Sequence, residues 1–494
     1  MRRLAAWPRG ARLALGVFLA GAGCSDGGPA APRSADATPP RLLDAAPVRV
    51  ESRGREAGRD AFAAADGHRL EGGVPRGHEA GRRDAEAGRR GEDGGIDAAD
   101  AGDATVARDG GLLPDALPDR GAGAYLSGRP EVLCATSDPP SPPTSTAIPD
   151  ADVELADSIG LPSSGDLWPS CWSGDALYAA WGDGFGFSDA GAYRRPSIGV
   201  ARITGYPSPG AAAMTGETLV HDDERSQATF KVWSGAGYYQ KPTGMLCTPG
   251  RMFLAVQDLD ASNYGDAPAA TIAVSTDSGR SWSEGTAPMF DDHEFTTIMF
   301  LDYGQDSASA VDGYIYVYGL DYNWRWSDTT IPPQGLYLAR VGTALGVLDR
   351  ATWEYFGGMS DGAPVWVTNF GDRLPVLVDC TRRYATSTFE GYTVISQGGV
   401  VYDPSRRRYL YTSWSEYTFE FYEAPQPWGP WTKFLYLDFG LPPWTPTHNG
   451  GYGTTVPSRF MSQDAGTMWL QSNTWSSGVD ENNFALRTLS LGAR

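Results

Sequence analysis

Three carboxylates and one lysine have the residue types and placement for paired acid chemistry: Asp166, Asp183, Glu294 and Lys241. Breaking a glycosidic bond needs one carboxylic acid to protonate the leaving oxygen. It also needs a second, ionised carboxylate to attack the sugar or activate water. Asp166 stands in Gly165-Asp166-Leu167-Trp168-Pro169 and Asp183 in Trp181-Gly182-Asp183-Gly184. A lysine beside such acids lowers their pKa values and keeps one ionised. Trp168 and Trp181 flank the acids and could stack on a sugar ring, although packing between strands is the commoner use of such tryptophans. Glu294 is held as a reserve acid. No other constellation competes. There is no Gly-x-Ser-x-Gly elbow, no His-Glu-x-x-His and no phosphate-cradling Gly-x-x-x-x-Gly-Lys. His68, His78, His221, His293 and His448 are too dispersed for a metal cluster. Asp258-Leu259-Asp260-Ala261-Ser262 begins like a calcium loop, but Asn263 stands where that loop needs glycine. Neither a metal nor a cofactor is implied.

These acids must be positioned by short strands. A turn followed by an aromatic-rich strand recurs: Gly174 to Asp183, Gly250 to Asp258, Gly313 to Asp321, Arg408 to Glu416 and Gly466 to Thr474. Long helical periodicity is absent, and short strands between turn residues predict an all-β sandwich, barrel or propeller. Five recurrences favour a five-bladed β-propeller, which hides its sheet edges by radial repetition. Asp166 then opens the first inner strand, Asp183 ends the next strand, and Lys241 occupies in the second blade the place of Asp166. Asp183, Asp258, Asp321 and Glu416 share one repeat position, so for the last three a turn or strand cap is the simpler reading.

Ser275-Thr276-Asp277-Ser278-Gly279-Arg280-Ser281-Trp282 fits the Asp-box, a structural hairpin mark of sialidase-like propellers. Trp428-Gly429-Pro430-Trp431 is similar to a Gly-Pro-Trp turn of five-bladed glycosidases. With Gly165 to Pro169, Trp181 to Asp183, Pro242 to Gly244, Asp312 to Gly319 and Leu338 to Val341, the chain resembles the five-bladed propellers of domain of unknown function 4185. That resemblance covers roughly residues 160–490. It implies kinship with glycoside hydrolases, some regarded as endo-acting D-arabinanases. Gln397-Gly398-Gly399 stands where an acidic residue often follows a glycine in the fourth blade.

Composition divides the chain. Arg2, Arg3, Arg9 and Arg12 precede an apolar run from Leu13 to Ala22, the pattern of a secretory signal. Gly21-Ala22-Gly23-Cys24 resembles a bacterial lipobox, with Gly21 where leucine is usual. Residues 1–23 are therefore expected to be a lipoprotein signal peptide and Cys24 a lipid-bearing N-terminus. Residues 24–127 are Ala, Gly, Asp and Arg-rich, with too little apolar surface to offset the entropy of ordering, and predict a disordered tether. Residues 128–494 hold every tryptophan except Trp7 and form the expected propeller. Net charge is −20 with only Lys231, Lys241 and Lys433 as lysines, which argues against nucleic-acid partners. Cys134, Cys171, Cys247 and Cys380 are too scattered for a zinc site and, in an exported chain, suggest disulfides. Cys171 and Cys247 lie at matching places before the first two repeats, which pairs them.

The expected protein is a monomeric, exported glycoside hydrolase, lipid-anchored in the bacterial cell envelope and acting on an extracellular polysaccharide that the resemblance suggests contains arabinofuranose. Two alternatives stand: a non-catalytic carbohydrate-binding or adhesive propeller, and a sialidase, which would need several converging arginines such as Arg325, Arg340 and Arg382. The anchoring expectation has a direct check. Cys24→Ser should move the protein from the membrane to the soluble fraction; unchanged membrane retention would remove the lipid anchor from the account.

Overall fold

The structure, a computed structural model, describes residues 126–494 apart from segments 189–194, 209–213, 223–229, 261–265, 323–334, 381–394, 415–417, 439–451, 463–465, 476–481 and 493–494 and residues 233 and 236. Cys24, the signal and almost all of the expected tether lie outside these residues, as do Glu416, Arg325, Arg382 and His448.

The described chain is almost entirely β-structure, with one short helix at Pro130–Cys134. Five antiparallel sheets follow one another. The first contains Ser164–Asp166, Ser170–Ser173, Ala176–Gly186, Ile198–Gly205 and Met214–His221. The second runs through Tyr238–Thr248, Arg251–Asp260, Ala270–Ser275 and Trp282–Glu284. Thr297–Asp302, Ile315–Leu320, Gly335–Val341 and Glu354–Ser360 make the third, and Gly399–Asp403, Arg408–Trp414, Thr418–Ala424 and Thr432–Asp438 the fourth. The fifth is built from both ends of the domain. Asn482–Leu491 pairs with Thr467–Trp475 on one side and with Ala151–Val153 and Ile159–Gly160 on the other. Four of the five sequence repeats are the second strand of a sheet, and the fifth, in Thr467–Trp475, takes that place through an inner bridge of Gln471 to Thr455.

Why these strands read as apolar runs rather than alternating ones follows from how the sheets stack. Arg251–Asp260 is buried at eight consecutive positions because both of its faces are covered. The core divides into five clusters, one between each pair of neighbouring sheets. Cys171, Val200, Leu254 and Trp282 lie between the first and second. Phe253, Phe290, Phe295 and Trp353 fill the next gap, and Tyr318, Tyr411, Tyr422 and Trp431 the one after. Trp414, Phe421, Leu470 and Leu489 separate the fourth and fifth, and Trp168, Trp181, Phe460 and Phe484 the fifth and first. Five sheets with five interfaces make a closed ring, a five-bladed β-propeller. The inner strands of the third and fourth blades run parallel, with Leu301 beside Val400.

Two disulfides tie this ring. Cys171 and Cys247 join the inner strands of the first and second blades, with Cα atoms 5.4 Å apart. Cys134 and Cys380 join the start of the described chain to the third blade, again over 5.4 Å. Between them the chain runs as a strap along the fourth blade, where Ser145 N–H donates to the Lys433 carbonyl at 2.7 Å.

The Asp-box is a turn brace. Asp277 accepts from the Ser275 hydroxyl at 2.8 Å, the Arg280 and Ser281 N–H groups at 3.1 and 2.9 Å, and the Ser281 hydroxyl at 2.6 Å. Partial burial pushes its pKa up, but the bonds from Ser281, Ser275 and Arg280 outweigh it and hold the carboxyl below its ordinary value. Trp282 is buried below the turn, its indole N–H donating to the Gly279 carbonyl at 3.0 Å. Asp277→Ala removes four acceptor contacts of a charged group and should cost roughly 1–3 kcal/mol. Urea melts check this; an unchanged midpoint would show that the turn holds without its carboxylate.

Candidate functional site

The chain reaches Asp166 through a tight, left-handed turn. Gly165, Leu167 and Trp168 all have positive φ, at 136°, 71° and 53°. A bulky residue such as leucine adopts that region only where its surroundings enforce it. Here the Asn473 side chain accepts from Leu167 N–H at 3.1 Å, and the Trp168 indole donates to the Gly165 carbonyl at 2.8 Å. The turn sets Asp166 across from Gly182 on the neighbouring strand. A Cβ at residue 182 would sit 2.5 Å from Asp166 Oδ1 and 3.0 Å from Lys241 Nζ, so only glycine leaves room for this contact. Asp183, the next residue, has φ 45° and is turned by Arg195, whose guanidinium donates to its carbonyl at 2.7 and 3.1 Å.

Three blades meet here. Lys241 comes from the inner strand of the second blade, with its side chain 5% exposed. Its Nζ lies 3.6 Å from Asp166 Oδ1 and in direct contact with Asp183 Oδ2. The Tyr452 hydroxyl, from the fifth blade, donates to Asp166 Oδ2 at 2.8 Å. Because one ammonium touches both acids, their facing oxygens lie well inside the roughly 9.5 Å limit of working carboxylate pairs. The two acids differ in access: the Asp166 side chain is 13% exposed and that of Asp183 47%.

Burial raises the pKa of Asp166, and the negative charge of Asp183 pushes the same way. Lys241 and the Tyr452 hydroxyl pull downward but do not outweigh burial. The lysine does lower the pKa of the acid beside it, as expected, but for the largely enclosed Asp166 desolvation outweighs that pull. Asp166 Oδ1 makes no hydrogen bond.

The other expected site residues fall elsewhere. Trp168 and Trp181 are fully buried. The Trp181 ring fits a slot lined by Gly165, Gly186 and Gly199, and its indole N–H donates to the Gly184 carbonyl at 3.1 Å. Neither ring offers a face to a sugar; both pack the seam between the first and fifth blades. Lys241 is likewise enclosed between the two acids, which makes it a positioning group rather than a surface for substrate. Glu294 shares no contact with that trio. It pairs with Arg373 at 3.1 Å and Arg129 at 3.6 Å, and Arg373 also holds Asp321 at 3.1 Å. Asp321 caps Phe295 N–H at 2.9 Å, and Asp258 accepts from Gly235 N–H and the Ser234 hydroxyl at 2.9 and 3.0 Å, so both act as the caps expected of that repeat position. Arg340 pairs with Glu354 at 2.8 Å and stacks on Tyr314 and Trp366, inside the third blade. Gln397 donates to the Pro242 carbonyl at 3.0 Å.

Tyr452, Asn473 and Arg373 were not read from the sequence. Tyr452 lies in Gly450-Gly451-Tyr452-Gly453, a glycine-flanked aromatic, and that is the signal it carried. Gly453 packs against the Leu167 backbone, where a Cβ would meet Cα at 2.9 Å.

No family model and no curated protein matches the chain, so the resemblance to the 4185 propellers rests on the segments that carry it. Among solved structures, a GH43_1 enzyme from Xanthomonas citri is similar at 15% identity and TM-score 0.39, covering 68% of this chain and 90% of that one. A family 117 glycoside hydrolase from Zobellia galactanivorans is similar at 9% identity and TM-score 0.38, covering 69% and 90%. CoXyl43, from a compost microbial metagenome, is similar at 13% and 0.38, covering 69% and 95%. Likenesses of this size leave the propeller and its site to rest on the chain's own topology and contacts.

The raised pKa of Asp166 has a stability signature. The folded chain holds this proton more tightly than the unfolded chain does. The contribution is therefore fully present below the ordinary carboxyl value and is lost as pH rises through the folded-state value. Thermal midpoints should show a declining limb from acid toward neutral pH that flattens in Asp166→Asn. An identical limb in the variant would assign it to another group.

Proposed function

We propose that the protein is a glycoside hydrolase acting on an extracellular polysaccharide, with Asp166 and Asp183 as its working carboxylates. The observation that carries this reading is the pair itself: two acids on one buried ammonium, at the opening of the first inner strand, one enclosed and one accessible. Asp166, with its pKa raised by burial, is suited to hold the proton for the leaving oxygen. Asp183, ion-paired with Lys241 and nearly half exposed, is suited to act on the sugar or on water. Tyr452 and Lys241 orient the pair. Glu294 is not needed in this scheme, because Arg373 and Arg129 engage it. The 4185 resemblance adds an arabinofuranose-containing substrate to the reading, and the lipobox adds an exported, lipid-anchored setting.

One observation favours a second reading, a carbohydrate-binding propeller without catalysis. Asp166 Oδ1 is enclosed as well as unbonded, and the buried polar groups on nearby inner-strand segments, Thr243, Thr297 and Gln397, are neutral.

Incubation with plant and bacterial cell-wall polysaccharides separates the two. The hydrolase reading expects new reducing ends from at least one polymer, with Asp166→Asn and Asp183→Asn each lowering kcat by about 10²-fold or more. Wild-type rates in both variants would overturn the assignment. Binding without cleavage of any polymer would establish the second reading.

A further inference from the structure

A larger cavity opens at the opposite end of the inner strands. Asp166 precedes the first inner strand, and Lys241 lies early in the second. Trp172, by contrast, lies in Ser170–Ser173 beyond Asp166, Tyr303 directly follows Thr297–Asp302, and Tyr402 is near the end of Gly399–Asp403. These three rings, with Tyr206 and Arg459, line a space of about 650 Å³. That is within the roughly 300–1,000 Å³ of small-ligand sites. Between the two ends, the space lined by Thr243, Met299 and Asp302 holds only about 30 Å³.

The lining has a specific chemistry. Tyr206 is 45% exposed, a large ring left open at the rim. Tyr402 is half-buried and packs at 5.6 Å on the buried Tyr303 ring, which backs it from the core. Arg459 sits 5.8 Å from the Trp172 ring centroid, and its Nη2 donates to the Gly205 carbonyl at 3.1 Å. Its Nε is buried and makes no hydrogen bond. Asp403 beside this space is buried and ion-paired with Arg406 at 3.3 Å, and Gln305, Ser309 and Ser462 add uncharged polar groups to the lining. Open rings for C–H faces, with uncharged hydroxyl and amide groups between them, together fit an uncharged polyhydroxylated ring.

We propose that this cavity is a second binding site, for a neutral saccharide unit of a polysaccharide, separate from the Asp166–Asp183 pair. It does not depend on the hydrolase reading, since it requires no catalysis. Its use would be to hold a polymer on the face of the propeller away from the acids.

Affinity electrophoresis of the full chain tests it, in gels containing soluble arabinan, arabinoxylan, β-1,4-galactan or anionic polygalacturonate. At least one neutral polymer should retard the wild-type protein and polygalacturonate should not. Trp172→Ala and Tyr402→Ala should weaken retardation at least fivefold, with Arg459→Gln as a milder variant and near-UV circular dichroism confirming the fold. The Asp166→Asn/Asp183→Asn double variant should be retarded like the wild type. Absence of retardation in every neutral gel, retardation by polygalacturonate alone, or equal retardation of the Trp172 and Tyr402 variants would each overturn the site. Loss of cleavage with retained retardation would concern the acid pair alone.

Discussion

Ring closure is the constraint on which the other features depend. A blade of this propeller buries both faces, so each sheet needs a neighbour on either side. The fifth interface exists only when the two ends of the domain are brought together. Pairing of Asn482–Leu491 with Ala151–Val153 and Ile159–Gly160 achieves this, and Trp168, Trp181 and Phe484 fill the resulting seam. The same closure builds the candidate site. Asp166 belongs to the first blade, but the hydroxyl on its Oδ2 comes from Tyr452 and the acceptor that fixes its turn from Asn473. Opening the seam would remove both partners at once.

Position rather than composition distinguishes the acid pair from other charged groups. A similar trio joins the third and fourth blades: Lys433 contacts Asp379 at 2.8 Å and also Glu420. Both of those acids are completely buried, and Lys433 lies on the outermost strand, beside the strap that Ser145 fastens. That arrangement braces the two blades. At Lys241 the second acid is nearly half open and the trio lies at the end of an inner strand. Burial raises the proton affinity of Asp166, the direction that the proton donor of paired-carboxylate chemistry needs.

Backbone strain follows the same geography. Leu167, Trp168 and Asp183 are left-handed around the acid pair, and Asp292, His293, Phe295 and Tyr322 around the Glu294–Arg373–Asp321 group. Both groups lie where a blade's second strand ends beside the opening of an inner strand. The chain must turn sharply there while presenting side chains toward the axis. Arg373 is almost fully enclosed and stacks on Phe370, so its group closes on itself and leaves Glu294 as an ion-pair partner.

Much of the architecture was legible in the residues. The five aromatic repeats are local patterns, and each became the second strand of a blade because strand formation and hairpin turns depend on neighbours in sequence. The Asp-box was legible for the same reason, and matching repeat positions anticipated the bond between Cys171 and Cys247. Asp166, Lys241 and Asp183 could be nominated from their places in the repeat. The pairing of Cys134 with Cys380, the acceptor role of Asn473 and the approach of Tyr452 to Asp166 could not, since each joins residues hundreds of positions apart. Packing was the simpler expectation for Trp168 and Trp181, but the rise in the pKa of Asp166 despite its lysine was not legible. Sequence determined which residues form strands and turns; only the closed ring decided which side chains lose water, and desolvation sets both the packing role of an indole and the proton affinity of an acid.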